Sequence, residues 1–537
     1  MSQALPRWSA ARVRRLPPVL AVAAVVALLA LPVAPGGVGG AHPADAVSAL
    51  VVLYCALRLV RDRRRPLSRT AAVVLGLPVL GLAVAAMGAV SPGAGLTGLG
   101  RYLQVFVLVP AAVLLLIRGR DDVRLLAWSM VGLAVWQGAV GVHQYVTGTG
   151  ASYQGEQIRA VGTFGPQDVM GMATVVSLGL VCAVGLALGR HPGTSGPSTP
   201  STPSAPSMSS TPSTPSTPSM SSTPSTPSTP SASSTPSTPS ASSTPSTPFT
   251  PSVRQRALAA GCALALLLPL ALSFSRGAWI ATAVTCAAQL LLAGVRRALT
   301  VGAAVVAAGV VLVGGFGVGT AMLQERVGSI TQVTDAPDQS VTDRYTMWAA
   351  AAGMWRERPL TGTGLKGFPE HRDGHASLAL SSGSETDGAG AGYRRQPLLS
   401  PHNMYLLVLA EQGLLGLLAL AGSWLALLVL GLRRLRAVRR SARPGAPDCA
   451  LVACGLLVWQ LTDFAYADIG GPSTVLTAVC LGLAAWWALG SGTGYGADSG
   501  AGSGTDSGAG HGTDSGSGHD ADSGSGHGSG AEEVPAR

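Results

Sequence analysis

Residues 402–432, HNMYLLVLAEQGLLGLLALAGSWLALLVLGL, decide the fold. The stretch holds one acid, Glu411, and no Lys or Arg until the basic run Arg433 to Arg443 begins. As a helix rising about 1.5 Å per residue it is longer than the roughly 30 Å hydrocarbon core of a bilayer. Its two ends differ in character. The first carries His402 and Asn403, and the last runs straight into arginines, which is how a membrane helix entering from outside and ending in the cytoplasm reads.

Working outward, apolar runs of similar length recur near 17–34, 44–60, 71–90, 99–117, 125–146, 169–189, 257–274, 278–295, 298–319, 450–467 and 473–490. With 402–432 they predict an all-α polytopic membrane protein of about 12 transmembrane helices. The chain is 47% hydrophobic and 12% charged, which argues against a water-soluble enzyme. Its net charge of +10 does not imply nucleic acid, because the arginines cluster between apolar runs rather than on a soluble face.

Those clusters orient the chain. Arg7 to Arg15, Arg58 to Arg69, Arg118 to Arg124 and Arg433 to Arg443 fall on one side when both termini are cytoplasmic. Residues 1–16 are then a cytoplasmic N-terminus, 17–193 hold helices 1–6, 253–319 helices 7–9 and 402–490 helices 10–12. Residues 320–401 become one large extracytoplasmic loop. An alternative for the first run is a cleaved signal peptide, since Ala41-His42-Pro43-Ala44-Asp45-Ala46 follows it. The seven cysteines lie in or beside apolar runs without metal-ligand spacing, so neither disulfide nor zinc is expected.

Residues 194–252 are almost entirely Ser, Thr and Pro, a composition that cannot bury apolar area and predicts a disordered cytoplasmic linker. The tail 491–537, rich in Gly, Ser and Asp, predicts the same.

Charged residues at the ends remote from the basic clusters are the informative ones, because positive-inside gives them no reason to be there. Arg159 stands before Gly162-Thr163-Phe164. Arg276 stands in the tight corner Ser273-Phe274-Ser275-Arg276-Gly277-Ala278-Trp279 between two spans. Arg344 opens a short amphipathic segment, Asp343-Arg344-Tyr345-Thr346-Met347-Trp348, that runs to Arg358-Pro359-Leu360. Next comes Thr361-Gly362-Thr363-Gly364-Leu365-Lys366-Gly367, a superficially phosphate-cradling loop; with no strand before it and no clear helix after it, a dinucleotide fold is refused. His402 closes the loop as a candidate base.

Taken together, Arg159 with Gly162-Thr163-Phe164, Ser275-Arg276-Gly277-Ala278-Trp279, Arg344 to Trp348 with Pro359 to Gly364, and His402-Asn403-Met404-Tyr405 with Glu411-Gln412-Gly413-Leu414-Leu415-Gly416 resemble the O-antigen ligase and polymerase family of bacterial membrane glycosyltransferases. The resemblance covers about 155–430. It departs at Pro166-Gln167-Asp168, where the family usually has an Asn-rich turn. It implies transfer of a glycan from an undecaprenyl-diphosphate carrier to a glycan or cell-envelope acceptor at the outer face of the cytoplasmic membrane, without metal or cofactor. By motif, Arg159, Arg276 and Arg344 would bind the diphosphate and His402 would act as the base. Guanidinium groups in a partly dry site suit a departing diphosphate, and a neutral imidazole can take a hydroxyl proton near neutral pH. The competing reading is a multi-pass solute or ion transporter, which would place its ionisable groups near the midplane and show an inverted repeat; neither is evident.

Overall fold

The computed structural model describes residues 17–32, 43–62, 67–153, 157–168, 170–189, 253–310, 339–381, 384–386, 394–396, 398–440 and 447–490. The N-terminus 1–16, the linker 194–252, the start of the large loop at 320–338 and the tail 491–537 were all given a reading above and lie outside the described residues.

Each apolar run contains helix. In chain order these are α1 (Leu20–Leu28), α2 (Pro43–Asp62), α3 (Arg69–Met87), α4 (Pro92–Leu103) continuing into α5 (Val109–Leu116), α6 (Arg120–Thr147), α7 (Gly171–Leu188), α8 (Val253–Leu272), α9 (Arg276–Ala293) and α10 (Val295–Val310). After the large loop come α13 (Met404–Arg440), α14 (Pro447–Asp463) and α15 (Thr474–Leu489); α11 (Gln339–Glu357) and α12 (Phe368–His375) belong to the loop itself. Among the described residues eight segments are long and apolar enough to cross a membrane, α4 and α5 counting as one. The other runs read as spans, at α1, α10, α14 and α15, give shorter helices. A π-helical turn at Gln104–Leu108 joins α4 to α5 just before Pro110, whose missing N–H removes one rung of the α-helical ladder.

The centre of the bundle is α7, the most buried of the spans (78%), held by α6, α8 and α14. Small residues permit these approaches: a Cβ on Gly185 would meet Val452, and one on Gly482 of α15 would meet Val113 of α5. Leu57, Val73, Leu80, Leu264 and Leu418 are exposed, the apolar surface a lipid-facing bundle presents.

Contacts sort the helix ends into two sets. At one end the start of α6 meets the start of α14 through Arg124 and Asp448, Arg256 of α8 donates to Ala187 O of α7, and Arg434 of α13 donates to Trp487 O and Gly490 O after α15. At the other end Asp45 of α2 pairs with Arg101 of α4, and the last residue of α8 accepts from Ala160 N. The first set carries the basic clusters.

Two details depart from the sequence reading. The run 402–432 is not one continuous helix. Gly413 has φ 64° and ψ −165°, a conformation essentially closed to other residues, and splits α13 into two half-helices. The groups freed by the break are taken up by the glycine loop: Thr363 N and Gly364 N donate to Ala410 O and Glu411 O at 2.9 Å each, and Pro359 O and Leu360 O accept from Leu414 N (2.8 Å) and Leu415 N (3.2 Å). Unsatisfied backbone in a membrane bundle costs several kcal/mol, so the break and the plug require each other. A helix also follows the glycine loop, namely α12, which the spacing did not reveal. The glycines nonetheless serve close backbone approach, since a Cβ on Gly362 would lie 2.4 Å from Glu411 C and one on Gly364 2.1 Å from Gly88 O.

The bundle is helical as expected, and its loops add one small sheet. β1 (Ala151–Tyr153), β2 (Gln157–Arg159), β3 (Ser384–Thr386) and β4 (Arg394–Gln396) form an antiparallel sheet of order β2-β1-β3-β4. Tyr153 opposite Thr386 ties the loop between α6 and α7 to the large loop.

Candidate functional site

Arg159 is the last residue of β2 and sits opposite Ala151 in the β1–β2 hairpin. Its exit is fixed by two glutamines of α6 at i and i+7. Gln137, fully buried, accepts from Thr163 N at 2.9 Å and donates to Thr163 Oγ1 at 2.6 Å. Gln144 accepts from Val161 N and Gly162 N (3.1 and 2.9 Å) and donates to Gly162 O at 2.8 Å. Gly162 has φ 66°, and a Cβ there would lie 2.3 Å from Gln137 Oε1, so only glycine fits the grip. Ala160 N then donates to Leu272 O at 3.4 Å, which brings the Arg159 strand to the corner that carries Arg276.

That corner is built from its own side chains. Ser273 Oγ donates to Leu270 O (2.6 Å) and accepts from Ser275 N (3.4 Å), while Trp279 Nε1 also donates to Leu270 O (2.7 Å). Ser275 caps α9, its Oγ accepting from Ala278 N at 3.3 Å. Phe274 is held at φ 50°, a strained setting for an aromatic residue. Arg276 therefore begins α9 on a rigid corner, exposed, with no hydrogen-bond or ion-pair partner among the described residues.

His402 has φ 49°, and everything beside it is pinned. Pro401 O accepts from Trp348 Nε1 of α11 at 2.8 Å. Asn403 caps α13, its Oδ1 accepting from Leu406 N at 3.1 Å while its Nδ2 donates to Ala465 O at 3.1 Å. Met404 N donates to Phe464 O and Ala467 O (2.8 and 3.0 Å), and Tyr405 Oη to Leu461 O (2.7 Å). A left-handed histidine stored between so many fixed neighbours is the kind of strain that functional sites hold.

Arg344 lies in the first turns of α11, four residues before Trp348, so the Trp348–Pro401 bond sets it near His402. Burial holds the His402 pKa below the usual imidazole value; Asp468 pulls it up and Arg344 pushes it down. His402 is thus neutral at pH 7, as a base must be. Neighbouring Asp343 is buried and structural: its carboxylate accepts from Ser381 N, Ser381 Oγ and Gln339 Nε2.

The piece that sequence reasoning missed is the loop Phe464-Ala465-Tyr466-Ala467-Asp468-Ile469-Gly470-Gly471-Pro472-Ser473 between α14 and α15. It touches the His402 segment, the Arg276 corner and the turn at Asp168. Phe464, Ala465 and Ala467 receive the His402 segment, and Tyr466 packs on Gly277, where an added Cβ would lie 3.1 Å from its own. Asp468 acts on His402, and its Oδ2 is buried without a partner among the described residues. Ser473 N donates to Asp168 Oδ2 at 3.0 Å, and burial raises Asp168 to about 6. The sequence offered one signal, an acid at the non-basic end of a span, and it went unread. The structure therefore sets the Arg276 corner and His402 on this loop, places Arg344 near His402 and brings the backbone of Arg159 to the same end; the Arg159 side chain is outside the described atoms.

Residues 261–421 match the family model described as O-Antigen ligase. The matched segment begins in α8 and ends in α13, so it contains Arg276, Arg344 and His402 and leaves out Arg159. No curated protein matches the chain. The family resemblance read from the sequence is thus supported over a shorter stretch than 155–430: the segment 261–421 of this helical, membrane-type chain is similar to the O-antigen ligase family.

Proposed function

We propose that the chain transfers a glycan from an undecaprenyl-diphosphate carrier to a glycan or cell-envelope acceptor at the outer face of the cytoplasmic membrane. The observation that carries this is the gathering of the exposed Arg276, which has no partner among the described residues, with Arg344 and a neutral, strained His402 at the end of the bundle remote from the basic clusters. The O-Antigen ligase match over the same residues supports it, and the absence of charge grouped at mid-span among the described helices gives the transporter reading no support.

In this mechanism the acceptor hydroxyl gives its proton to His402 as its oxygen attacks the anomeric carbon. The bond from that carbon to the diphosphate oxygen breaks, the electron pair leaves on the diphosphate, and the configuration inverts. Arg276, Arg344 and Arg159 meet the charge that grows on the leaving group, where guanidinium donors count for more than in the ground state. His402, its charged form disfavoured by burial, stays ready to accept a proton. The test is transfer in membranes supplied with purified lipid-diphosphate-linked glycan: labelled glycan should appear on acceptor, and no transfer by folded protein would refute the proposal.

The acid limb of the pH–rate profile should follow His402. Its pKa is lowered, so activity persists below the ordinary imidazole range and fails only as pH falls through the lowered value. Asp468→Asn removes a charge that raises this pKa and should shift the limb to lower pH. Arg344→Gln should shift the limb of its residual activity to higher pH. Unmoved limbs in both variants would separate the titration from His402.

The orientation has its own test. A cysteine at Leu380, in a protein whose seven native cysteines are replaced, should react with an impermeant maleimide added to intact cells. Reaction only after lysis would place the large loop in the cytoplasm.

A further inference from the structure

At the opposite end of the bundle, where the basic clusters lie, a half-open cavity of about 320 Å³ sits between the starts of α6, α8 and α14 and the end of α7. That is the lower end of the range for small-ligand pockets, about 300–1,000 Å³. It suits a headgroup rather than a folded segment.

Its lining carries both signs of charge. Asp448 is 4% exposed; its Oδ2 accepts from Arg124 Nε at 2.7 Å, and its Oδ1 has no partner among the described residues. A buried carboxylate oxygen left without a donor is costly. Across the cavity Arg256 spends its Nε on Ala187 O at 3.3 Å, while its terminal nitrogens have no partner among the described residues. Trp128 and Leu186 supply an apolar wall. A ligand that completes this site needs an anionic group for Arg256, a cationic donor for Asp448 and an apolar remainder.

The chain's own segment between α7 and α8 holds Arg190 and His191 but no acid anywhere in 190–252, so it cannot supply the anion that Arg256 calls for. An anionic headgroup without an amine satisfies Arg256 alone. A quaternary ammonium has no N–H to give the Asp448 oxygen. We propose that this cavity binds the headgroup of a phospholipid bearing a phosphate and a primary ammonium, a phosphoethanolamine lipid, with the phosphate on Arg256, the ammonium on Asp448 and the acyl chains leaving past Trp128 and Leu186.

The full-length protein, delipidated in detergent, would be titrated with phosphatidylethanolamine, phosphatidylglycerol and phosphatidylcholine of equal chain length, and with free phosphoethanolamine, and bound lipid counted by native mass spectrometry. Phosphatidylethanolamine should be retained at least about ten-fold better than the other two lipids, the loss expected when a charge-assisted hydrogen bond is missing. Asp448→Asn should erase the preference, whereas Arg256→Gln should weaken retention of all three lipids alike and Arg256→Lys keep most of it, each variant eluting as the parent does on gel filtration. Free phosphoethanolamine binding as tightly as the lipid would overturn the lipid as the occupant. Equal retention of all three lipids by the parent, or a preference untouched by Asp448→Asn, would overturn the site.

Discussion

His402→Ala is expected to lower glycan transfer by about 10²–10⁴-fold while the protein still inserts and elutes normally, the range for loss of a positioned general base. The side chain is half-buried at the surface of the loop that joins α14 to α15, and its backbone is fixed by Asn403 and Met404 rather than by the imidazole. Removing the ring therefore leaves the local fold intact. Arg276→Ala should cost about 10²–10³-fold, typical of one lost donor to a developing anion, because the guanidinium has no structural partner among the described residues to account for its presence. Arg276→Lys should restore only part, since a point charge cannot reproduce the planar fork. Assays of both variants with lipid-diphosphate-linked glycan check this; near-normal rates in both would remove these residues from the chemistry.

Gly364→Val is expected to prevent accumulation of folded protein. Gly364 has φ 95°, and a Cβ there would lie 2.1 Å from Gly88 O, a backbone atom at the end of α3 that cannot swing aside. The strained backbone costs about 1–2 kcal/mol and the overpacking about 1–3, a large share of an ordinary stability margin. Gly413→Ala should act through the same joint from the other side, where the added carbon would meet Leu360 O at 2.3 Å. Gly93→Ala, with nothing within 4 Å of its Cβ, is the matched control and should behave as the parent. Fluorescence-detected gel filtration of all three distinguishes a role in folding from one in phosphate binding: a well-folded but inactive Gly364→Val protein would point to a phosphate contact at 361–367 instead.

The bundle was legible in the sequence because lipid leaves few options: an apolar run such as 171–188 must be a helix, and the arginines mark one set of ends. The break at Gly413 was not, because glycine is common in membrane helices and what satisfies the freed carbonyls is a loop some fifty residues upstream. Arg276 stood out because positive-inside gives no reason for a cation at the end remote from the basic clusters, while His402, which alone reads as a structural histidine at a helix start, was picked out by the family resemblance. Asp468, Gln137 and Gln144 were passed over for the opposite reason. One acid at a span end or a glutamine within a helix looks ordinary until the fold shows what it grips.

The central claim is that this chain consumes a carrier-linked glycan, and the carrier-lipid pool of cells lacking it tests that most directly. Deletion should cause undecaprenyl-diphosphate-linked glycan to accumulate, as single repeat units if the chain polymerises and as finished polymer if it ligates. The parent gene should clear the accumulation and the His402→Ala gene should not. A carrier pool unchanged by deletion would contradict the account.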